Sequence, residues 1–411
     1  MKMTTLDHRH DYEQFCQQAL ADPYPLFDEL RETKPVHWCE PLGCYLALRY
    51  DDAYAGLNDA RLLGGRRGMY EKILTPENHM KAASLVDHVN LWLTNQNPPR
   101  HTRLRKLAGV AFTPRHIKDL VPRIKQIVQQ RLDEVRAQQT CDFASAFCYW
   151  VPATVICDML GLPQSDHAQF QRLMADIIPF TSAAGPRINA AVGPAYQAMQ
   201  EMLAYFDHQI TLRRHDPTQD VLSALVHAEV EGDRLSQEEL FALCVFLFVA
   251  GHETTASLLA SGTMLLMKHP EQLVMFKANP HELLDGAIEE IIRYESPVTR
   301  AIRNAAEDMQ VGGCDLRAGD TVVFLLGAAN RDPEQFPQPN TLDIRRHPNK
   351  HLGFGWGRHF CIGAELARLE ARIAFPMIFE QLPQIQLADE PLVWRSAFGI
   401  RSLERLVITV R

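Results

Sequence analysis

One stretch constrains this chain more than any other: a helical run from Ser236 to Lys268. Ser236 is a good N-cap, and Glu239 follows three residues later at capping-box spacing. At about 1.5 Å per residue such a helix is roughly 50 Å long, enough to cross a globular molecule. Its first half, Leu240 to Ala250, is apolar on every face, so no side of it can be left in water. That apolar run is too short to span a bilayer. The rest of the chain must therefore wrap around it. The middle breaks its own pattern, because Ala250-Gly251-His252-Glu253-Thr254-Thr255 places a glycine, a carboxylate and two hydroxyls inside a buried helix. Glycine alone costs about 1 kcal/mol against alanine there, and a buried carboxylate needs partners or a raised pKa. Local rules broken inside a core tend to mark function. A zinc-protease reading of His252-Glu253 fails, since the residue four after His252 is Ala256.

The second constraint lies near the C-terminus, in Phe354-Gly355-Trp356-Gly357-Arg358-His359-Phe360-Cys361-Ile362-Gly363. Gly355 and Gly357 allow a tight turn with positive φ. Helical spacing of Leu366, Leu369, Ile373 and Met377 begins just after it, which puts Cys361 at a helix N-terminus, where a thiolate is favoured over a thiol. Gly363 removes a Cβ where something large and flat could lie. A lone cysteine is usually a buried core thiol; the pattern around this one argues otherwise. Further clues sit elsewhere. His101 and Arg105, after Pro98-Pro99, are four apart and share a helical face, and Glu290 and Arg293 are spaced to pair on another helix.

Together these stretches resemble the cytochrome P-450 superfamily, in its soluble bacterial type, over most of the chain after residue 90. The cysteine stretch is similar to the family's haem loop, Ala250 to Thr254 to its oxygen-binding helix, and Pro-Pro-x-His-x-x-x-Arg to its C helix. Glu290-Ile-Ile-Arg293 followed by Tyr-Glu-Ser-Pro is similar to its Glu-x-x-Arg segment, and Ala329-Asn-Arg-Asp-Pro333 with Phe336-Pro337 to its meander. The resemblance implies a mainly α fold with small β-sheets, holding haem b (iron protoporphyrin IX) between a long central helix and the C-terminal cysteine loop. Cys361 would be the axial thiolate. His101, Arg105, Arg303 and His359 would face the propionates, whose negative charges need cationic donors. Phe354, Gly355, Gly357, Gly363, Ala250 and Gly251 would shape the haem cradle. Glu253 and Thr254 would be the catalytic pair that delivers protons, with Gly251 permitting a local widening of the helix. Phe246, Val249, Ala250, Thr299, Ala301, Phe398 and Ile400 would line the substrate pocket, and Glu290 with Arg293 would be structural. Arg358 could face the propionates or the outer surface.

The remaining chain fits one domain over 1–411. Its β-rich parts are expected at about 30–60, 300–325 and the C-terminus, and its helical parts at about 98–297 and 361–381, with helical spacing over Ile117–Val135 and a break between two helices around Thr181–Pro186. Short strands are expected at Val36–Trp38 and Tyr45–Leu48. Residues 61–95 lack clear periodicity and read as a long loop. The formal net charge of −8 argues against a nucleic-acid partner, and the nine cysteines have no paired spacing that suggests a disulfide framework. The N-terminus lacks a signal-peptide core, and a cytoplasmic enzyme without membrane attachment is expected.

The resemblance thus implies a monooxygenase that inserts one oxygen atom of O2 into an apolar organic molecule, in secondary metabolism. Electrons would come from NAD(P)H through a ferredoxin or flavodoxin and its reductase, docking where Arg103, Lys106 and Arg358 cluster. A peroxide-driven peroxygenase and a non-catalytic haem sensor or carrier are the alternatives. Within the family, epoxidation, oxidative coupling and desaturation stay open beside hydroxylation.

Overall fold

The structure, a computed structural model, describes residues 21–66, 68, 70, 73–182, 188–230, 232–395 and 399–410. The central helix runs Gln237–Lys268 with Ser236 as N-cap. Both halves of the capping box form, the Ser236 hydroxyl accepting from the Glu239 N–H and the Glu239 carboxylate accepting from the Ser236 N–H. By length and composition it could cross a membrane, but 83% of its most apolar window is buried inside this molecule. Helices Trp150–Met159, Ile188–His215, Pro280–Tyr294 and Ala364–Gln381 pack around it. Small residues set the closest approaches. A Cβ at Gly262 would stand 2.4 Å from the Phe375 ring, so the last helix seats directly on the central one.

A five-stranded sheet lies to one side, in the order Val36–Cys39, Cys44–Ala47, Thr321–Leu325, Arg300–Ala305, Leu62–Leu63. All neighbours are antiparallel except Thr321–Leu325, which pairs in parallel with Cys44–Ala47, Val323 facing Leu46. A second apolar core under this sheet gathers Ala47, Tyr50, Leu57, Val322, Phe324 and Phe336. Near the C-terminus Val393–Trp394 and Leu403–Arg405 form an antiparallel hairpin with an irregular register.

The expected elements form with small shifts, and two readings need correction. Residues 61–95 are not a loop. They hold the short strand Leu62–Leu63 and a helix, Pro76–Asn90, opened by proline at its first position. Ala82, Leu85, Val86 and Val89 are its buried side, at helical spacing. The helical stretch expected over Ile117–Val135 is divided into Pro114–Asp119 and Val121–Arg136, because Pro122 lacks the N–H that would continue the first turn. The break expected around Thr181–Pro186 falls mostly on residues outside those described.

Candidate haem site

The cysteine loop is held by backbone. Gly355 and Gly357 have φ of 70° and 67°, in the left-handed region open to glycine. A Cβ at Gly357 would also stand 2.9 Å from Asn58 Oδ1, so the loop presses onto helix Tyr50–Asn58. The Cys361 N–H donates to Phe354 O at 2.9 Å and closes the turn. Cys361 precedes Gly363, the N-cap of helix Ala364–Gln381. Nothing lies within 4 Å of where a Gly363 Cβ would be. The Phe354 ring is fixed by the Arg368 guanidinium, 4.5 Å from its centroid, and Arg368 is paired with Glu289, which also holds His351. That buried network lowers the Glu289 carboxyl to about 2 against the desolvation that opposes it.

Cys361 is exposed by area, yet burial is what raises its thiol pKa. Both hold when a side chain faces a recess enclosed by protein. In the protein alone, burial outweighs the Gly363 N–H and the nearby Arg105 and Arg368, which act in the opposite direction. The helix N-terminus by itself therefore does not deliver the expected thiolate; a bound metal ion would.

Around this recess basic groups converge. His101 is 2% exposed, and its ring centroid is 4.3 Å from that of His359. Arg303, 6% exposed, donates to Ile302 O. Burial lowers His101 to about 4, His359 to about 2 and Arg303 to about 10, so both imidazoles are neutral near pH 7, and the groups acting on the three are all basic: Arg105, Arg358, Arg303 and His101. His101 Nε2 and His359 Nδ1 are buried with no partner. Arg358, which sequence reasoning left unassigned, belongs to this cluster. Imidazole nitrogens left without partners beside buried guanidinium charge are costly unless an anion answers the cluster. Iron protoporphyrin IX fits both halves of the arrangement. Its propionates would answer the cations. The described residues contain no group of three or more His, Cys, Asp or Glu able to hold a bare metal ion, so a metal at Cys361 would have to bring its other ligands with it.

The central helix contributes its interrupted turn. Glu253 is 0% exposed; its Oε1 accepts from Ser402 Oγ at 3.2 Å, and its Oε2 has no partner. Burial raises its carboxyl from the ordinary 4.5 to about 7, against Arg395 and Ser402. The Thr254 hydroxyl donates to Ala250 O at 2.7 Å, so the helix here stays regular instead of widening. Gly251 serves packing: a Cβ on it would come 3.0 Å from Ile156 Cδ1 on the neighbouring helix.

Of the expected pocket residues, Phe246 and Val249 are buried on the central helix, Phe246 with its ring 5.8 Å from Trp92. Ala250, Thr299, Ala301 and Ile400 are half-buried. Ile400 bridges to Val298, and the Thr299 N–H donates to Gly399 O, so these two segments run side by side. Phe398 lies outside the described residues. Glu290 and Arg293 form a bidentate pair at 2.8 Å, both 0% exposed. Arg293 also donates to Asn330 O and Pro339 O, and Glu290 accepts from the Asp343 N–H and Arg346, which ties their helix to the meander. Arg103 is committed to Asp233 and Glu239 and is not the open docking cation expected of it.

Comparison with known proteins gives one reading. The family model described as Cytochrome P450 matches residues 75–383. The "Biotin biosynthesis cytochrome P450" of Bacillus subtilis is 38% identical over 95% of this chain and 97% of its own length. The "Cytochrome P450 monooxygenase PikC" of Streptomyces venezuelae is 40% identical over 96% of this chain and 92% of its own. Among solved structures, P450BioI in complex with hexadec-9Z-enoic acid ligated acyl carrier protein superposes with a TM-score of 0.88 at 35% identity, over 96% of this chain and all of that one.

Proposed function

The chain belongs to the cytochrome P450 family of haem-thiolate monooxygenases, and from that premise we propose that Cys361 is its axial thiolate and that it oxidises an apolar organic substrate with electrons relayed from NAD(P)H. The observation that carries the site assignment is the convergence of His101, Arg105, Arg303, Arg358 and His359 near Cys361, with only basic groups acting on His101, Arg303 and His359. Residues 1–411 act as one catalytic unit in this reading.

When bound, the haem supplies the centre at which dioxygen is split, the thiolate lending electron density that favours O–O cleavage. The protein's work is to bind, orient and meter. Arg105, Arg303 and Arg358, with His101 and His359, would hold the propionates and fix the cofactor's orientation. Phe246, Val249, Ala301 and Ile400 exclude water and favour a hydrocarbon or aromatic portion of substrate, since an unpaired charge buried among them is costly. Glu253, poised near neutrality, holds a proton that Thr254 passes inward once its hydroxyl leaves the Ala250 carbonyl. The intact acid–alcohol pair favours oxygen over peroxide as oxidant. Separate ferredoxin or flavodoxin carriers supply the electrons. One relative was crystallised with an acyl carrier protein bearing a hexadec-9Z-enoic chain, which makes long acyl chains, free or carrier-bound, the substrate class to test first.

The test is spectroscopic. The reduced CO complex should show the strongly red-shifted Soret band of thiolate ligation, and Cys361→Ser should lose it. The band persisting in Cys361→Ser would end the assignment. A screen of fatty acids and their carrier-protein esters for Soret shifts then identifies the substrate.

A further inference from the structure

Glu253 is fully buried, but the residue that answers its charge reaches solvent. Arg395 Nη1 stands 4.0 Å from Glu253 Oε1, within ion-pair reach but without a hydrogen bond. The Arg395 side chain is 34% exposed against 0% for Glu253. Neither Glu253 Oε2 nor Arg395 Nε has a partner. One guanidinium therefore bridges the surface and the buried acid with bonding capacity unused at both ends.

Its surroundings are well defined. The Arg395 N–H donates to Ser402 O at 2.9 Å, and Ser402 Oγ in turn donates to Glu253. The guanidinium also lies 4.6 Å from the Tyr149 ring centroid, a resting place for a cation. Tyr149 is anchored by its hydroxyl, which donates to Leu403 O at 2.9 Å. The other titratable neighbours are silent at neutral pH. Burial raises Tyr149 to about 12, and it lowers His252, which sits beside Tyr149 O, to about 4. Arg395 is thus the charge that acts on Glu253 among the described residues.

We propose that Arg395 is the positioning residue through which Glu253 exchanges protons with solvent, the hairpin of Val393–Trp394 and Leu403–Arg405 forming the port. Closing the guanidinium from its place over Tyr149 onto Oε1 favours the ionised carboxylate. Turning it outward to solvent leaves desolvation unopposed and favours the neutral acid, and a hydronium at the opening gives its proton to the carboxylate and leaves as water. The central helix supplies the acid, and a strand segment more than a hundred residues away sets when it reloads. This rests on the reading of Glu253 and Thr254 as the proton-delivering pair.

The Glu253 carboxyl can be titrated by infrared difference spectroscopy in the resting holoenzyme, with Glu253→Gln as the subtracted reference. Arg395→Gln should move its midpoint up by about one pH unit or more, as expected for losing an opposite charge at this range. Arg395→Lys should stay near wild type. During turnover, the solvent isotope effect on NAD(P)H consumption should rise in Arg395→Gln and return in Arg395→Lys, which loss of structure alone would not produce. An unmoved midpoint in Arg395→Gln overturns the port while leaving the proton-donor reading intact. Wild-type turnover in Glu253→Gln overturns that reading and the port with it.

Discussion

Replacing Glu253 by glutamine should make the protein gain stability relative to wild type as pH rises, while slowing the enzyme. The carboxyl is lifted by burial from 4.5 to about 7. The native state therefore binds this proton more tightly than the unfolded chain does. Below pH 4.5 both states carry it, and burial of the group costs little. As pH climbs through the window to 7, the unfolded chain releases the proton first, so stability falls; above 7 the full penalty is present. At about 1.4 kcal/mol per tenfold change in proton affinity, this lift corresponds to about 3 kcal/mol. Glutamine keeps the shape without the charge, and Ser402 can still donate to its oxygen. Its amide would sit where Oε2 has no partner, which adds a cost of about 1–3 kcal/mol that does not vary with pH. The readout is therefore the change in the difference. Urea unfolding of both holoproteins at pH 5 and pH 8, with haem release common to both, should show the variant improving by about 2.5 kcal/mol between the two, since part of the penalty is already present at pH 5. Parallel pH profiles would refute the reasoning, because they would mean Glu253 titrates as an ordinary carboxyl.

Thr254→Ala should still bind haem and substrate and still consume NAD(P)H, but divert much of that consumption to hydrogen peroxide; product per NAD(P)H unchanged from wild type would remove Thr254 from the relay. Arg293→Ala leaves Glu290 charged and unpaired at 0% exposure and opens the ties to Asn330 and Pro339. It should cost about 3–5 kcal/mol in denaturant unfolding, and a loss below 1 kcal/mol would contradict a buried pair. Gly262→Ala drives a methyl into the Phe375 ring at 2.4 Å. It should destabilise by about 1–3 kcal/mol, with partial recovery in the double variant with Phe375→Leu, and additive effects of the two changes would argue against direct contact.

Legibility followed distance along the chain. The central helix was readable because its cap, its apolar run and its interruption are consecutive. The cysteine loop was readable because glycines, cysteine and helix onset fall within ten residues. Glu290 and Arg293 were readable as a pair, though their complete burial comes from Asn330, Pro339 and Asp343, which no helical spacing announces. Helix Pro76–Asn90 was missed although its signal existed: a proline at the first position and apolar residues at 82, 85, 86 and 89. The polar residues between them hid it. Arg395 and Ser402 could not have been found by pattern. They meet Glu253 across more than 140 residues, and only the folded hairpin brings them there. Arg103 failed for the opposite reason: a cation looks available in a sequence until Asp233 and Glu239 turn out to occupy it.

The parallel pairing of Thr321–Leu325 with Cys44–Ala47 has a consequence for the life of the nascent chain. The hairpin of Val36–Cys39 and Cys44–Ala47 leaves the ribosome early, with one side of its backbone bonded and the other bare. Its remaining neighbour is not yet synthesised. At about 5–20 residues per second, the interval between the two strands lasts about 14 to 55 seconds. Throughout that time an apolar, β-prone edge is open to any other extended segment, the situation in which chains stick to one another. The cysteine loop emerges later still, so haem meets a polypeptide whose sheet has only just become able to close. Production of holoprotein is then governed as much by what shields that early hairpin, such as chaperones, slow growth or low temperature, as by the supply of haem itself.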